Sequence, residues 1–166
     1  MRSSHLFNTL TFNVFCPDCE SDSVILQQRI INLEGVGKVL RVNSYCENCH
    51  ASSSEFIPLR VKKNHVVKFF IKDKKDLGAK VIKSQACIFK IPELGVELEP
   101  GPESQAEIID VDSVLSNINL ALKYEYGLNR LSNDIKNIKK GKKKVTLILE
   151  DPTGVSRVIP RKLKHL

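Results

Sequence analysis

Two pairs of cysteines constrain this chain more than anything else in it. Cys16 and Cys19 stand in FCPDC and Cys46 and Cys49 in YCENC, with 26 residues between the pairs. Two cysteines separated by two residues can be half of a metal site, a redox pair or a coincidence. A thioredoxin-like redox motif needs a single pair in a βαβ setting. Two pairs at this spacing fit zinc(II), which takes four soft ligands in a tetrahedron, two from each tight loop. A shell closed by four thiolates has no position left for an activating water, so the expected metal is one structural Zn2+ held by Cys16, Cys19, Cys46 and Cys49. The fifth cysteine, Cys87, lies alone in the apolar run QACIFKI and reads as a buried small hydrophobe. An odd count argues against a disulfide framework.

The segment between the pairs has the pattern of a β-hairpin. SVILQQRIINL leads to the turn Glu34-Gly35-Val36-Gly37, and KVLRVNSY then alternates Val39, Arg41 and Asn43 against Leu40, Val42 and Ser44. Two knuckles with a hairpin between them make a zinc ribbon, here assigned to residues 1–58 with an N-terminal extension. The chain has 166 residues, room for such a stapled unit and a larger domain with its own core. Residues 59–166 supply the latter. HVVKFFIK, AKVIKSQACIFKIPEL, GVELEP, VTLILE and VSRVI read as short strands, with Pro92 marking an edge or a bend. Asp151-Pro152-Thr153-Gly154 suits a type I turn, because proline presets φ and Asp can bond the backbone ahead. Between these strands the period changes. Val111, Leu115, Ile118 and Leu122 follow helical spacing, with Asp112 or Ser113 as the cap. Gly127 breaks the pattern, Leu128, Leu131, Ile135 and Ile138 resume it, and Gly141 can close it. Residues 112–141 therefore read as an inserted helical hairpin, with one bent helix as the alternative. The fold class is mainly β, a sandwich or jelly-roll-like shape behind the four-cysteine zinc ribbon.

Charge separates along the chain. Residues 1–131 hold 16 Lys/Arg and 16 Asp/Glu, whereas residues 132–166 hold 10 and 3, so the net +7 sits at the C-terminal end. Lys139, Lys140, Lys142, Lys143 and Lys144 form a candidate anion-binding patch. The same lysines at a helix C-terminus can simply offset the helix dipole, and KKGKKK has no aromatic residue to stack a base. No window approaches the ~18–20 apolar residues of a bilayer span. MRSSHLFNTLTFNVF lacks the unbroken apolar core and small-residue cleavage site of a signal peptide, which points to the cytoplasm. The histidines His5, His50, His65 and His165 form no His-x-His or H-E-x-x-H set, and there is no phosphate-cradling glycine loop or nucleophile elbow. The expectation is a protein that is not an enzyme and takes no small-molecule substrate.

Longer stretches carry a family resemblance. DLGAKVIKSQACIFKIPELGVELEPG at 76–101 and LILEDPTGVSRVIP at 147–160 resemble the ZPR-type zinc-finger proteins. Their signature appears here as Val81-Ile82-Lys83-Ser84, Ile91-Pro92-Glu93-Leu94, Val111-Asp112-Ser113-Val114-Leu115 and Glu150-Asp151-Pro152-Thr153-Gly154-Val155-Ser156, in order over about residues 12–160. The resemblance implies a zinc ribbon followed by a double-stranded β-helix with a helical hairpin insertion, as in the single-module archaeal members. Eukaryotic members bind translation elongation factor 1-alpha, so the implied function is that of an adaptor or folding factor for that protein. Lys83, Ser84, Glu93, Asp151 and Ser156 are then candidate partner contacts, although turn chemistry and strand capping explain the same residues. The sequence departs from the family pattern at His50, where glycine is usual, at Gly78-Ala79, where Asn-Arg is usual, and at Val155, where Asn is usual. The alternative function is that of an RNA-binding zinc ribbon of the translation or transcription machinery.

Overall fold

The hairpin pattern becomes a four-stranded antiparallel sheet. In the computed structural model, which describes residues 10–60, 63–124, 127 and 129–161, strands β1 (Leu10–Val14), β2 (Val24–Leu33), β3 (Gly37–Cys46) and β4 (Ser52–Pro58) lie side by side in that order. β2 and β3 pair from Val24 opposite Cys46 to Leu33 opposite Gly37. At ten residues each they are about 33 Å long. One end of this hairpin carries the cysteines, and the other carries a small apolar surface. His5 and His165 lie outside the described residues.

The second part is a jelly roll of two sheets. Strands β5 (His65–Ile71), β6 (Lys80–Lys83), β7 (Ile88–Ile91), β8 (Val96–Leu98), β9 (Glu107–Asp110), β10 (Val145–Asp151) and β11 (Arg157–Ile159) form a sheet of order β5-β10-β7-β8 and another of order β11-β6-β9. Strict alternation along β10 buries Val145, Leu147, Leu149 and Asp151 and turns Thr146, Ile148 and Glu150 outward. Pro92 interrupts the chain after β7, where Pro92–Leu94 makes a 3-10 turn. No helix among the described residues is long and apolar enough to cross a membrane.

The insertion between β9 and β10 is two helices, α1 (Val111–Tyr124) and α2 (Asn129–Lys139), packed against each other. α1 buries Val111, Val114, Leu115, Ile118 and Leu122 against the jelly roll. α2 adds Ile135 and Ile138 to the same core. The cap of α1 differs from the sequence expectation. It is Asp110, not Asp112 or Ser113: its Oδ1 accepts the Ser113 N–H at 2.8 Å. Asp112 already lies in the helix and pairs with Lys139 of α2 at 3.0 Å. The strand β9 runs straight into the helix, so its last residue serves as the cap and no linker separates the two periods. At the far end Gly141, with φ 72°, closes α2 by donating to the Ile138 carbonyl.

The core falls into three clusters. Cys16, Val24 and Cys46 form the small knuckle core. The large jelly-roll core runs from Ile71 to Leu149 and takes in Cys87. Between them Leu33, Val36, Val39 and Phe56 of the ribbon meet Ile82, Ala106 and Val155 of the jelly roll. The Ala106 N–H also donates to the Ser54 carbonyl at 2.7 Å, and Gln105 Nε2 donates to the Ser52 carbonyl at 3.1 Å. Val155, one of the departures from the family pattern, is fully buried in this junction. A side chain fully buried in the junction between ribbon and jelly roll has reason to be apolar.

Asp151 holds the two jelly-roll sheets together. Alternation along β10 places its carboxylate on the core side, where an unpaired charge is costly. Its Oδ1 accepts from Ser84 Oγ at 2.9 Å and from the N–H and Oγ1 of Thr153, each at 2.8 Å. Its Oδ2 accepts the N–H groups of Val155 and Ser156 at 3.0 and 2.6 Å. Ser156 Oγ in turn accepts the Ser84 N–H at 3.0 Å. The end of β10, the end of β6 and the start of β11 are thus joined through one side chain. Burial pushes its pKa up, but the bonds from Ser156 and Thr153 outweigh that and hold it below the usual carboxylate value. A lowered folded-state pKa contributes stability above the usual carboxylate range, and that stability disappears as pH falls through the lowered value. Asp151→Asn should therefore destabilise the chain by about 3 kcal/mol at pH 7. In urea unfolding the gap to wild type should narrow as pH falls below about 4.

Candidate metal centre and surrounding surface

The two knuckles have the same backbone. In the first, the Cys16 N–H donates to the Ser21 carbonyl and the Glu20 N–H returns to the Cys16 carbonyl, at 2.7 and 2.9 Å. In the second, Cys46 N–H donates to the Ala51 carbonyl and His50 N–H to the Cys46 carbonyl, both at 2.9 Å. The residue after each second cysteine is left-handed, Glu20 at φ 58° and His50 at φ 63°. That conformation favours glycine and costs other residues roughly 1–2 kcal/mol. The glycine expected at the His50 position from the family resemblance would suit this conformation. Here His50 gains a different contact, a hydrogen bond of 2.6 Å between its Nδ1 and the Tyr45 hydroxyl.

These loops bring the four sulfurs within 4.8 Å of one another. Four sulfurs about 2.3 Å from one zinc lie about 3.8 Å apart. The observed Cys16–Cys49 and Cys19–Cys46 separations are 3.7 and 3.6 Å. Donor type, number and spacing all fit one zinc ion. The Ser21 hydroxyl and the Asn48 amide, in that order, pull the Cys19 thiol down to about 6. Cys49 accepts from the Ala51 backbone, yet desolvation and the neighbouring sulfurs of Cys19, Cys46 and Cys16 push it up to about 12. Zinc coordinates thiolates, so binding the ion would release the protons that the sulfurs still carry. Once bound, the metal fixes the two loops, and the closed shell presents no open position for chemistry.

The other candidate residues divide. Lys83, Ser84, Asp151 and Ser156 are all buried, Ser84 and Ser156 completely. Ser84, Asp151 and Ser156 form the network that joins the sheets, while the Lys83 side chain turns to the loop before β9 and donates to the Gln105 carbonyl at 2.6 Å. In this conformation Ser84, Asp151 and Ser156 present no side-chain surface, while the Lys83 side chain lines a cleft beside α1. Glu93 stands apart at the opposite end of β10. It is exposed, and its Oε1 accepts from the Thr146 N–H and hydroxyl at 2.9 and 2.8 Å. The lysine patch is partly engaged. Lys139 bonds Asp112 and Ser116, and Lys143 pairs with Asp134 at 2.7 Å. Lys140, Lys142 and Lys144 are exposed.

The surface at the metal end was not singled out by sequence reasoning. Phe15 is 56% and Tyr45 43% exposed, each next to a cysteine in the chain, and Asp18, Glu20, Asp22 and Glu47 of the same segments are exposed as well. The signal was present in the sequence, because residues 14–22 and 45–51 contain no Lys or Arg. Zinc-loaded protein should contain one zinc per chain by elemental analysis, and Cys46→Ser should remove it. Sequence alone suggests that metal loss unfolds residues 12–50 and spares the rest. With the junction core in place, hydrogen exchange should rise first at the knuckles and the adjoining ends of β2 and β3. The turn around Leu33–Val39 should stay protected; equal loss over all strands would mean a single cooperative unit.

Residues 75–165 match the family model of the ZPR1 jelly-roll domain. The chain is 32% identical over 157 residues to a ZPR1-like protein of Methanocaldococcus jannaschii, covering 87% of this chain and 78% of that one. It is 26% identical over 163 residues to a ZPR1-like protein of Pyrococcus horikoshii, covering 90% and 73%. It is also 29% identical over 96 residues to the zinc finger chaperone zpr1 of Schizosaccharomyces pombe, which is 55% of this chain but 20% of that protein. With the matching fold, the four-sulfur centre and this similarity along nearly its whole length, the chain belongs to the ZPR1 family.

Proposed function

We propose that this protein is a zinc-stapled protein-interaction module of the cytoplasm, acting as an adaptor or folding factor for translation elongation factor 1-alpha. The observation that carries the reading is the closed four-sulfur shell beside exposed aromatic side chains. The metal is committed to holding loops in place, and what those loops present is apolar surface of the kind proteins bind through. The name of the fission-yeast relative, a zinc finger chaperone, supports protein partners in general. The elongation factor as the particular partner comes from the family resemblance of the VIKS, IPEL and EDPTGVS stretches. On this reading the protein is a binding module and not an enzyme.

A second reading has one observation in its favour, the three exposed lysines Lys140, Lys142 and Lys144. These could meet the phosphates of an RNA. Against it, two of the five patch lysines are already tied to carboxylates, and the knuckle end is acidic.

The two readings separate by experiment. Tagged protein should enrich elongation factor 1-alpha from a related lysate in the presence of GDP or GTP; failure in both states would count heavily against the first reading. RNA binding should fall steeply between low and physiological salt if it is charge alone. Tight, sequence-selective binding that survives physiological salt would favour the second.

A further inference from the structure

The jelly roll is open on the side of α1. Between β7, β8, β9 and that helix lies a cleft of about 360 Å³, within the size range of pockets that bind a discrete group. Its walls are mostly apolar, chiefly Phe89, Leu98, Ile109, Val114, Ile118 and Ala121, with Asn117 and the Lys83 side chain as polar members. Cys87 adds to them as a neutral thiol, which burial pushes up to about 11.

The rim has a different character. It is the β8–β9 loop, held in place from beneath by Lys83, whose Nζ donates to the Gln105 carbonyl at 2.6 Å and to Ser104 Oγ at 3.3 Å and lies 3.5 Å from Glu107. Lys83 is thereby occupied in shaping the rim. Residues 91–122 contain no Lys or Arg, but they contain seven acids: Glu93, Glu97, Glu99, Glu103, Glu107, Asp110 and Asp112. On a chain of net charge +7 this is a sharp reversal of sign. Most of these carboxylates already have work inside the fold. Glu93 accepts from Thr146, Glu97 pairs with Lys90, Glu107 faces Lys83, Asp110 caps α1 and Asp112 pairs with Lys139. Glu99 and Glu103 are exposed and have no hydrogen bond or ion pair among the described residues. Glu99 lines the cleft and Glu103 follows in the same loop.

We propose that this cleft anchors a protein partner by taking in a large apolar side chain that stands next to lysine or arginine. An apolar floor rewards the buried side chain, and two free carboxylates at the mouth select a basic flank over an acidic one. The mouth opens to solvent along an exposed loop, so the backbone of a peptide segment can run across it. This inference rests on the protein-interaction reading above and gives that interaction a site and a chemistry.

The probe is the peptide acetyl-Lys-Lys-Phe-Leu-Lys-Lys-amide, titrated into the zinc-loaded full chain with methyl NMR as the readout. Controls replace Phe-Leu by Gly-Gly, or all four lysines by glutamate. The expected result is saturable shifts at the methyls of Leu98, Ile109, Val114, Ile118 and Ala121, with an affinity at least about tenfold above the Gly-Gly control. Ala121→Trp should fill the cleft and abolish the shifts. Glu99→Lys with Glu103→Lys, both on the exposed loop, should leave the fold intact and weaken binding. Equal shifts with the Gly-Gly peptide, tighter binding of the glutamate peptide, or unchanged binding by folded Ala121→Trp would overturn the proposal. Capture of the elongation factor separates the two levels. If wild type and folded Ala121→Trp both retain it, the cleft is not the anchor and the partner assignment stands. If neither retains it while the peptide still binds the cleft, the partner assignment fails and the cleft stands.

Discussion

A tetrahedron of four sulfurs is the constraint on which the N-terminal half of this fold depends. Around the cysteines the only other buried apolar side chain is Val24, with Leu26 and Ala51 packed alongside, among the described residues. So small a core cannot by itself hold two tight loops in a left-handed conformation at Glu20 and His50. Metal coordination supplies what burial does not. At the other end of the same hairpin no metal is needed, because Leu33, Val36 and Val39 bury themselves against the jelly roll. The long β2–β3 pair is thus fastened twice, by coordination chemistry at one end and by the hydrophobic effect at the other.

The second fastening depends on Asp151. Its carboxylate gathers the Ser84 hydroxyl and the backbone of Thr153, Val155 and Ser156, and so sets the path of the chain through Val155 into β11. Val155 is one of the jelly-roll residues that meet the ribbon in the junction core. A buried charge of this kind is stabilising only while every acceptor site is filled. That is why the turn DPTGVS carries so many small and polar residues in so short a run.

Much of this was legible in the sequence, and the reasons differ by element. The knuckles were readable because C-x2-C spacing has few alternative uses in pairs. The helical insertion was readable because Val111, Leu115, Ile118 and Leu122 keep one period without interruption, and Gly127 marks the break. The cap was misplaced by two residues, since Asp110, Asp112 and Ser113 are all good capping residues and only the end of β9 chooses between them. Lys83, Ser84 and Ser156 lie in the stretches that carry the family resemblance, and that resemblance made them candidate partner contacts. The burial of the two serines follows from pairing across 67 to 72 residues, which no local pattern contains. The α1 cleft was missed for the same reason: its walls come from β7, β8, β9 and α1, and only the run of acids without a basic residue hints at its rim.

Charge divides the surface into two unlike regions. The knuckle loops and the 91–122 segment are acidic and carry exposed aromatic or concave apolar surface, while exposed lysines lie after α2 at Lys140, Lys142 and Lys144 and in the turn after β5 at Lys72, Lys74 and Lys75. A binding module that engages a protein through the first region differs physically from one that engages nucleic acid through the second. Hydrogen–deuterium exchange of the zinc-loaded chain, with and without elongation factor 1-alpha, distinguishes them most directly. The account predicts slowed exchange in the knuckle loops, in the β8–β9 loop and along α1 when the factor is present. Unchanged exchange throughout, or protection confined to the Lys140–Lys144 turn, would contradict it.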